Sequence, residues 1–168
     1  MKKIFILLIT VFSIYNAYSQ TAEGYYSKGI NKYFLFRDTQ GAIADFTKAI
    51  DLNPNYTGSY YYRGTAKSSL KDYRGAIADF TKVIELNPNY VNAYFYRGIA
   101  KFRLKDYLGA IIDYTKVIEL DPNNSDAYYN RGTAKYDLGQ IESGCLDLSK
   151  AGELGEGDAY SFIEKYCN

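Results

Sequence analysis

The side chains that could do chemistry here are few, and most of them recur. There is no histidine among the 168 residues, which removes the commonest general base and the commonest metal ligand together. Arg63, Arg97 and Arg131 each precede an acid by 16 residues: Asp79, Asp113 and Asp147. Brought level on two antiparallel helices, such residues form a structural ion pair; the alternative is a basic ladder for an acidic ligand. Cys145 and Cys167 are the only cysteines. The sequence holds no Ser-His-Asp set, no glycine-rich phosphate loop and no metal-spaced ligand cluster. It reads as a non-enzyme, with no cofactor and no metal expected.

What is abundant is tyrosine, with 20 copies against 9 Phe and no Trp. A phenol combines a large rigid ring with a polar tip, so it suits a wet core and a binding surface equally. Residues 1–20 hold Lys2 and Lys3 and no acid, which leaves 18 basic and 19 acidic side chains in the remainder. So balanced a chain has no electrostatic footprint for nucleic acid or anionic membrane.

The N-terminus reads as an address. Met1-Lys2-Lys3 is followed by an apolar run from Ile4 to Ile14, then by Ala17-Tyr18-Ser19 ahead of Gln20. A positive start, a short apolar stretch and small residues before a cut make a secretory signal peptide over 1–19. An uncleaved anchor is the alternative, but spanning a bilayer takes roughly twenty apolar residues. The expected product is exported, periplasmic or secreted, with no membrane insertion after cleavage. In an oxidising compartment the two cysteines suggest a disulfide, since helices turning near Gly155 bring Cys145 and Cys167 face to face. A structural thiol pair and a redox site are the other readings.

The elements that must position these residues repeat at a step of 34. Gly41-Ala42-Ile43-Ala44-Asp45-Phe46-Thr47-Lys48 recurs unchanged as Gly75–Lys82, with two changes as Gly109–Lys116, and more weakly as Ser143–Lys150. Asn53-Pro54-Asn55, Asn87-Pro88-Asn89 and Asp121-Pro122-Asn123 keep the step. Ile77, Phe80 and Ile84, matched by Ile111, Tyr114 and Ile118, lie on one helical stripe. Asp72 and Asp106 stand where N-caps belong, and Pro88 and Pro122 close the same helices. Each repeat is therefore two antiparallel helices. Gly64, Gly98 and Gly132 are expected opposite Ala76, Ala110 and Gly144, small on both sides so that the helices approach. Asn55-Tyr56-Thr57 and Asn123-Asn124-Ser125 match glycosylation sequons, which capping asparagines explain as well.

Tyr94-x-x-Arg97-Gly98 followed by Ala110, Tyr114 and Pro122 resembles the tetratricopeptide-repeat (TPR) pattern; Tyr60, Gly64, Ala76, Phe80 and Pro88 repeat it, and Tyr128 with Gly132 begin it again. The chain departs from that pattern in four places. Arginine replaces the usual leucine before three of the glycines, and Lys28 precedes Gly29. One extra residue separates Gly29 from Gly41, and Glu156 stands in place of the fourth closing proline. The resemblance implies an all-α, right-handed superhelical solenoid of antiparallel helix pairs. Its four units are 22–56, 57–90, 91–124 and 125–158, with a capping helix in 159–168.

The resemblance also implies where a ligand binds. Family geometry puts the concave face on the first helix of each repeat: Tyr26, Ser27, Ile30, Tyr33 and Phe34; Tyr61, Tyr62 and Thr65; Phe95, Tyr96, Ile99 and Phe102; Tyr129, Asn130, Thr133 and Tyr136. This face is aromatic and almost uncharged, with Arg103 its clear cation. Members that grip acidic chaperone tails carry lysine, asparagine and arginine there; the matching positions here read Tyr26, Ile30, Tyr62, Asn92 and Tyr96, so that clamp is absent. The expected function is a non-catalytic interaction scaffold whose partner is a peptide or protein segment. A self-assembling envelope protein, packing copy to copy as a homo-oligomer, is the alternative.

Overall fold

The computed structural model describes residues 20–167; the segment read as a signal peptide, 1–19, and Asn168 lie outside them. Among the described residues all regular structure is helical: α1 (Ala22–Phe34), α2 (Thr39–Leu52), α3 (Thr57–Ser69), α4 (Tyr73–Leu86), α5 (Val91–Arg103), α6 (Tyr107–Leu120), α7 (Ser125–Asp137), α8 (Ile141–Glu153) and α9 (Gly157–Tyr166). The last helix starts at Gly157 rather than at the expected Ala159, because the Glu156 carboxylate accepts the Asp158 amide as an N-cap.

Local chemistry sets these boundaries. Asp38, Asp72 and Asp106 accept the amides of Gly41, Gly75 and Gly109 at 2.9–3.0 Å, satisfying donors that each second helix would otherwise leave orphaned. A Cβ on any of those three glycines would fall onto the capping carboxylate, so the cap and the glycine belong together. At the far end Asn87 is extended (φ −144°, ψ 93°) ahead of Pro88, as steric conflict with the proline ring requires. Between the helices of a pair, the residue at the bend takes a left-handed backbone: Arg37, Lys71, Lys105 and, in the fourth pair, Gly139.

The helices pack as successive pairs, α1 with α2 through α7 with α8, and α9 lies against α8. The first helices α1, α3, α5 and α7 also touch in series. They therefore make a continuous inner layer, with the second helices outside it. The core follows the 34-residue step: Ala42, Phe46 and Ala49, then Ala76, Phe80 and Val83, then Ala110, Tyr114 and Val117, then Leu148 and Ala151, all fully buried. Of the expected stripe, Phe80 and Tyr114 are fully buried in that core, while Ile77, Ile84, Ile111 and Ile118 are half-buried and flank it.

The small-against-small expectation holds at only one of three crossings. A Cβ on Gly132 would meet the Gly144 carbonyl at 2.9 Å, but one on Gly98 would meet the Tyr114 ring at 2.8 Å and one on Gly64 the Phe80 ring at 3.0 Å. In those pairs the glycine makes room for an aromatic ring and not for an alanine.

The arginine–aspartate spacing yields a structural ion pair. Arg97 meets Asp113 through Nε at 2.9 Å and Nη2 at 2.7 Å, while its Nη1 donates to Thr81 of the preceding repeat at 3.1 Å. Lys101 adds a contact at 2.8 Å. The same set recurs as Arg63, Asp79, Lys67 and Thr47, and as Arg131, Asp147, Lys135 and Thr115. Each arginine thus locks its own pair and ties it to the pair before.

Candidate binding groove

Rings from neighbouring repeats interleave along the inner layer. Tyr62 of α3 stacks on Phe46 of the preceding repeat, with centroids 6.1 Å apart and planes 22° apart; Tyr96 of α5 stacks on Phe80 at 6.0 Å and 24°. Tyr26 contacts Phe46, Tyr56 and Tyr62, and Tyr61 contacts Phe80, Tyr90 and Tyr96. Phe95 reaches Tyr114 at 5.9 Å. Five of the residues expected to line the face, Tyr26, Tyr61, Tyr62, Phe95 and Tyr96, therefore have two roles. Each is half-buried between repeats and offers its remaining edge to solvent, with Tyr96 the most open of those in the ladder at 37 %.

Five of the expected residues come together in one cavity of about 340 Å³. Ile99 and Phe102 of α5 and Tyr129, Asn130 and Thr133 of α7 form its walls, joined by Arg103, Asp137 and Phe162 of α9, over Tyr114 of α6. A smaller cavity of about 140 Å³ lies beside Phe95 and Tyr96, with Asn92, Asn124 and Asp126. The other expected residues lie elsewhere. Tyr26, Tyr61 and Tyr62 belong to the ring ladder just described. Ile30 and Tyr33 sit half-buried on α1, where Tyr33 meets Phe34 edge-on at 5.0 Å. Thr65 donates its hydroxyl to the Tyr61 carbonyl. Tyr136 packs under α9 against Phe162 and Tyr166, at 5.3 and 5.6 Å.

Cys167, next to Tyr166 in the chain, is disulfide-bonded to Cys145, with Cα atoms 5.9 Å apart. The bond ties the end of α9, the helix that carries Phe162, back to α8. Reading the family face helix by helix could not supply Phe162 or Tyr114, since neither lies on a first helix. The signal that could have flagged the cavity is a break in the repeat: Tyr62 and Tyr96 are followed, one step on, by Asn130.

Electrostatically the groove is a field of neutral phenols. Burial, reinforced by Tyr62 and Tyr56, pushes the Tyr26 phenol up to about 12. Burial also raises Tyr61, Tyr90 and Tyr114, and Tyr129 is raised by burial and then by Asp158 and Glu156. Such hydroxyls remain protonated at neutral pH, so they are hydrogen-bonding groups rather than nucleophiles or bases. Among the described residues, no group of acids and cysteines is gathered as a metal site, and no helix is long and apolar enough to cross a membrane.

This architecture of paired helices with an inner aromatic face defines a helical-repeat solenoid. Family models agree: a TPR repeat model matches residues 100–139 and a tetratricopeptide repeat model residues 59–90. The chain belongs to the tetratricopeptide-repeat family. Among solved structures, the first TPR of Spaghetti (RPAP3) bound to the HSP90 peptide SRMEEVD is 35 % identical, with 72 % of this chain and 95 % of that one covered and a TM-score of 0.67. A crystal structure of MamA shares the fold with a TM-score of 0.80 at 24 % identity, over 88 % of this chain and 86 % of that one. MamA from Desulfovibrio magneticus RS-1 shares it with a TM-score of 0.76 at 24 % identity, over 87 % of each chain. No curated protein matches the chain in sequence.

Proposed function

We propose that the protein is a non-catalytic scaffold that holds a peptide or protein segment against its tyrosine-rich inner face, outside the cytoplasm. The observation that carries this reading is the open cavity among Ile99, Phe102, Tyr129, Asn130 and Thr133, on a face of neutral, donor-bearing rings. Rigid aromatics are economical anchors because little side-chain freedom is lost on contact. The peptide held by the Spaghetti repeat supports the mode of binding. It does not support the same ligand, because an acidic tail needs paired cationic donors and the matching positions here carry Tyr26, Ile30, Tyr62, Asn92 and Tyr96. Export is supported by the signal-like residues 1–19 and is consistent with the Cys145–Cys167 bond, since disulfides persist in oxidising compartments.

The test is capture from envelope and culture fractions by purified protein and by a variant with Tyr96→Ala and Arg103→Ala. A partner retained by the parent and lost by the variant supports the inner face; equal retention by both excludes it. One observation favours a second reading. Leu108, Ile112 and Leu146 on the outer helices are 60–68 % exposed, and such a stripe suits association of copies. Size-exclusion chromatography over a concentration series distinguishes the two, since self-assembly shifts the elution volume with concentration.

A further inference from the structure

The ring ladder loses a member at the third junction between repeats. Tyr56 and Tyr90, at the entries to α3 and α5, lie against Tyr26 and Tyr61 of the preceding first helices, with centroids 5.1 and 5.3 Å apart. At the entry to α7 the equivalent residue is Asn124, and the equivalent ring on α5 is Phe95. A cavity of about 140 Å³ opens there, lined by Asn92, Phe95, Tyr96, Asn124 and Asp126.

Of its polar groups, Asn124 is already committed: its side-chain oxygen accepts the Ala127 amide at 2.9 Å, and its N–H donates to Asp121 at 3.1 Å. Asn92 and Asp126 are exposed, and neither side chain has a hydrogen bond or an ion pair with any described residue. An acid in a first turn suits the helix dipole, yet α3 and α5 place Gly58 and Asn92 at this position. Phe95 and Tyr96 meet edge-on at 5.6 Å, and Tyr96 is 37 % exposed. The third junction therefore sets an unpaired carboxylate and a spare amide beside two partly open rings.

The molecule shows what such a combination holds. Arg97 lies over the Tyr94 ring at 5.6 Å while it pairs with Asp113, and Arg63 and Arg131 do the same over Tyr60 and Tyr128. A guanidinium suits these places because its face accepts ring contact while its edge donates to oxygen. We propose that the cavity is a subsite for one arginine side chain of the partner segment. Its guanidinium pairs with Asp126, donates to the Asn92 side-chain oxygen and lies against Tyr96 and Phe95. The subsite rests on the reading of the inner face as a segment-binding surface and names a side chain that this face selects.

The test uses N-acetylarginine amide and its uncharged counterpart, N-acetylcitrulline amide, titrated into purified protein and followed by NMR at Asn92, Phe95 and Tyr96. The parent is expected to prefer the arginine probe by about fivefold to tenfold, the share of one exposed ion pair with a ring contact. Asp126→Asn should lose that preference without loss of fold, since it alters an exposed side chain that bonds nothing. Asp137→Asn, in the neighbouring cavity, should keep the preference. Asn124→Tyr, which restores the residue of the two earlier junctions, should weaken both probes. No preference in the parent, a preference unchanged in Asp126→Asn, one lost equally in Asp137→Asn, or undiminished binding in Asn124→Tyr would each overturn the subsite. The outcomes also separate this proposal from the scaffold reading. A partner captured on the inner face with no effect of Asp126→Asn sinks the subsite alone. Probe binding as expected with no partner captured sinks the scaffold reading alone.

Discussion

Asp113 is 1 % exposed and receives Arg97 and Lys101 together. A carboxylate so enclosed is stable only while its cations remain, and they only while it remains. Asp113→Ala should therefore cost about 3–5 kcal/mol in urea unfolding, because it strands two cations at a half-buried site. The triple change Arg97→Leu, Lys101→Met and Asp113→Leu should recover much of that loss, since none of the three charges is then left unpaired. By contrast, Lys116 and Glu119 meet at 3.0 Å on the surface, and Glu119→Ala should cost no more than about 0.5 kcal/mol. The 16-residue spacing was enough to read the Arg–Asp pairs. It was silent on Lys101 and on the bond to Thr81, because those depend on side-chain reach across a helix crossing and between repeats.

At the scale of elements, the turns carry strain that can be removed. Lys71 and Lys105 hold φ near +64° and +63° at bends where the fourth repeat uses Gly139. A left-handed non-glycine residue costs about 1–2 kcal/mol, and glycine returns about 0.5–1 kcal/mol of that through its freer unfolded chain. Lys71→Gly should accordingly stabilise by about 0.5–1 kcal/mol, read as a raised urea midpoint. The last helix is secured differently. α9 packs on α8, and its end is fastened across a separation of 22 residues by the disulfide. Reduction should cost about 3 kcal/mol by the loop-entropy account. Amide exchange should rise in α9 while α3 to α6 keep their protection. Caps and closing prolines made the helix boundaries legible in the sequence. The reason for Gly98 was not, because spacing asks for a small residue there without saying that a ring fills the space.

For the whole molecule, the ring ladder links stability to alkaline pH. The Tyr26 phenol ordinarily titrates at 10.0 and lies at about 12 in the fold, and Tyr61, Tyr90 and Tyr114 are displaced in the same direction. The unfolded chain therefore loses these protons first as pH rises. The Tyr26 contribution is complete below pH 10 and is lost between 10 and about 12, and those of the other three are likewise lost only as pH rises above 10, so the urea midpoint should be level from pH 7 to 9 and fall above 10. The 34-residue step made the solenoid legible, since a period held over so many positions specifies the stacking. It concealed the candidate site, which lies where the period fails, at Asn130 and Tyr114, and which takes a wall from α9 outside the repeats. Photo-crosslinking shows whether the inner face holds a partner segment. Benzoylphenylalanine would be placed at Tyr96 on the inner face or at Ile112 on the outer, in protein exposed to envelope and culture fractions. A segment held on the inner face should give one discrete adduct from Tyr96 and none from Ile112; adducts from Ile112 alone, or only between copies of this chain, would rule that placement out.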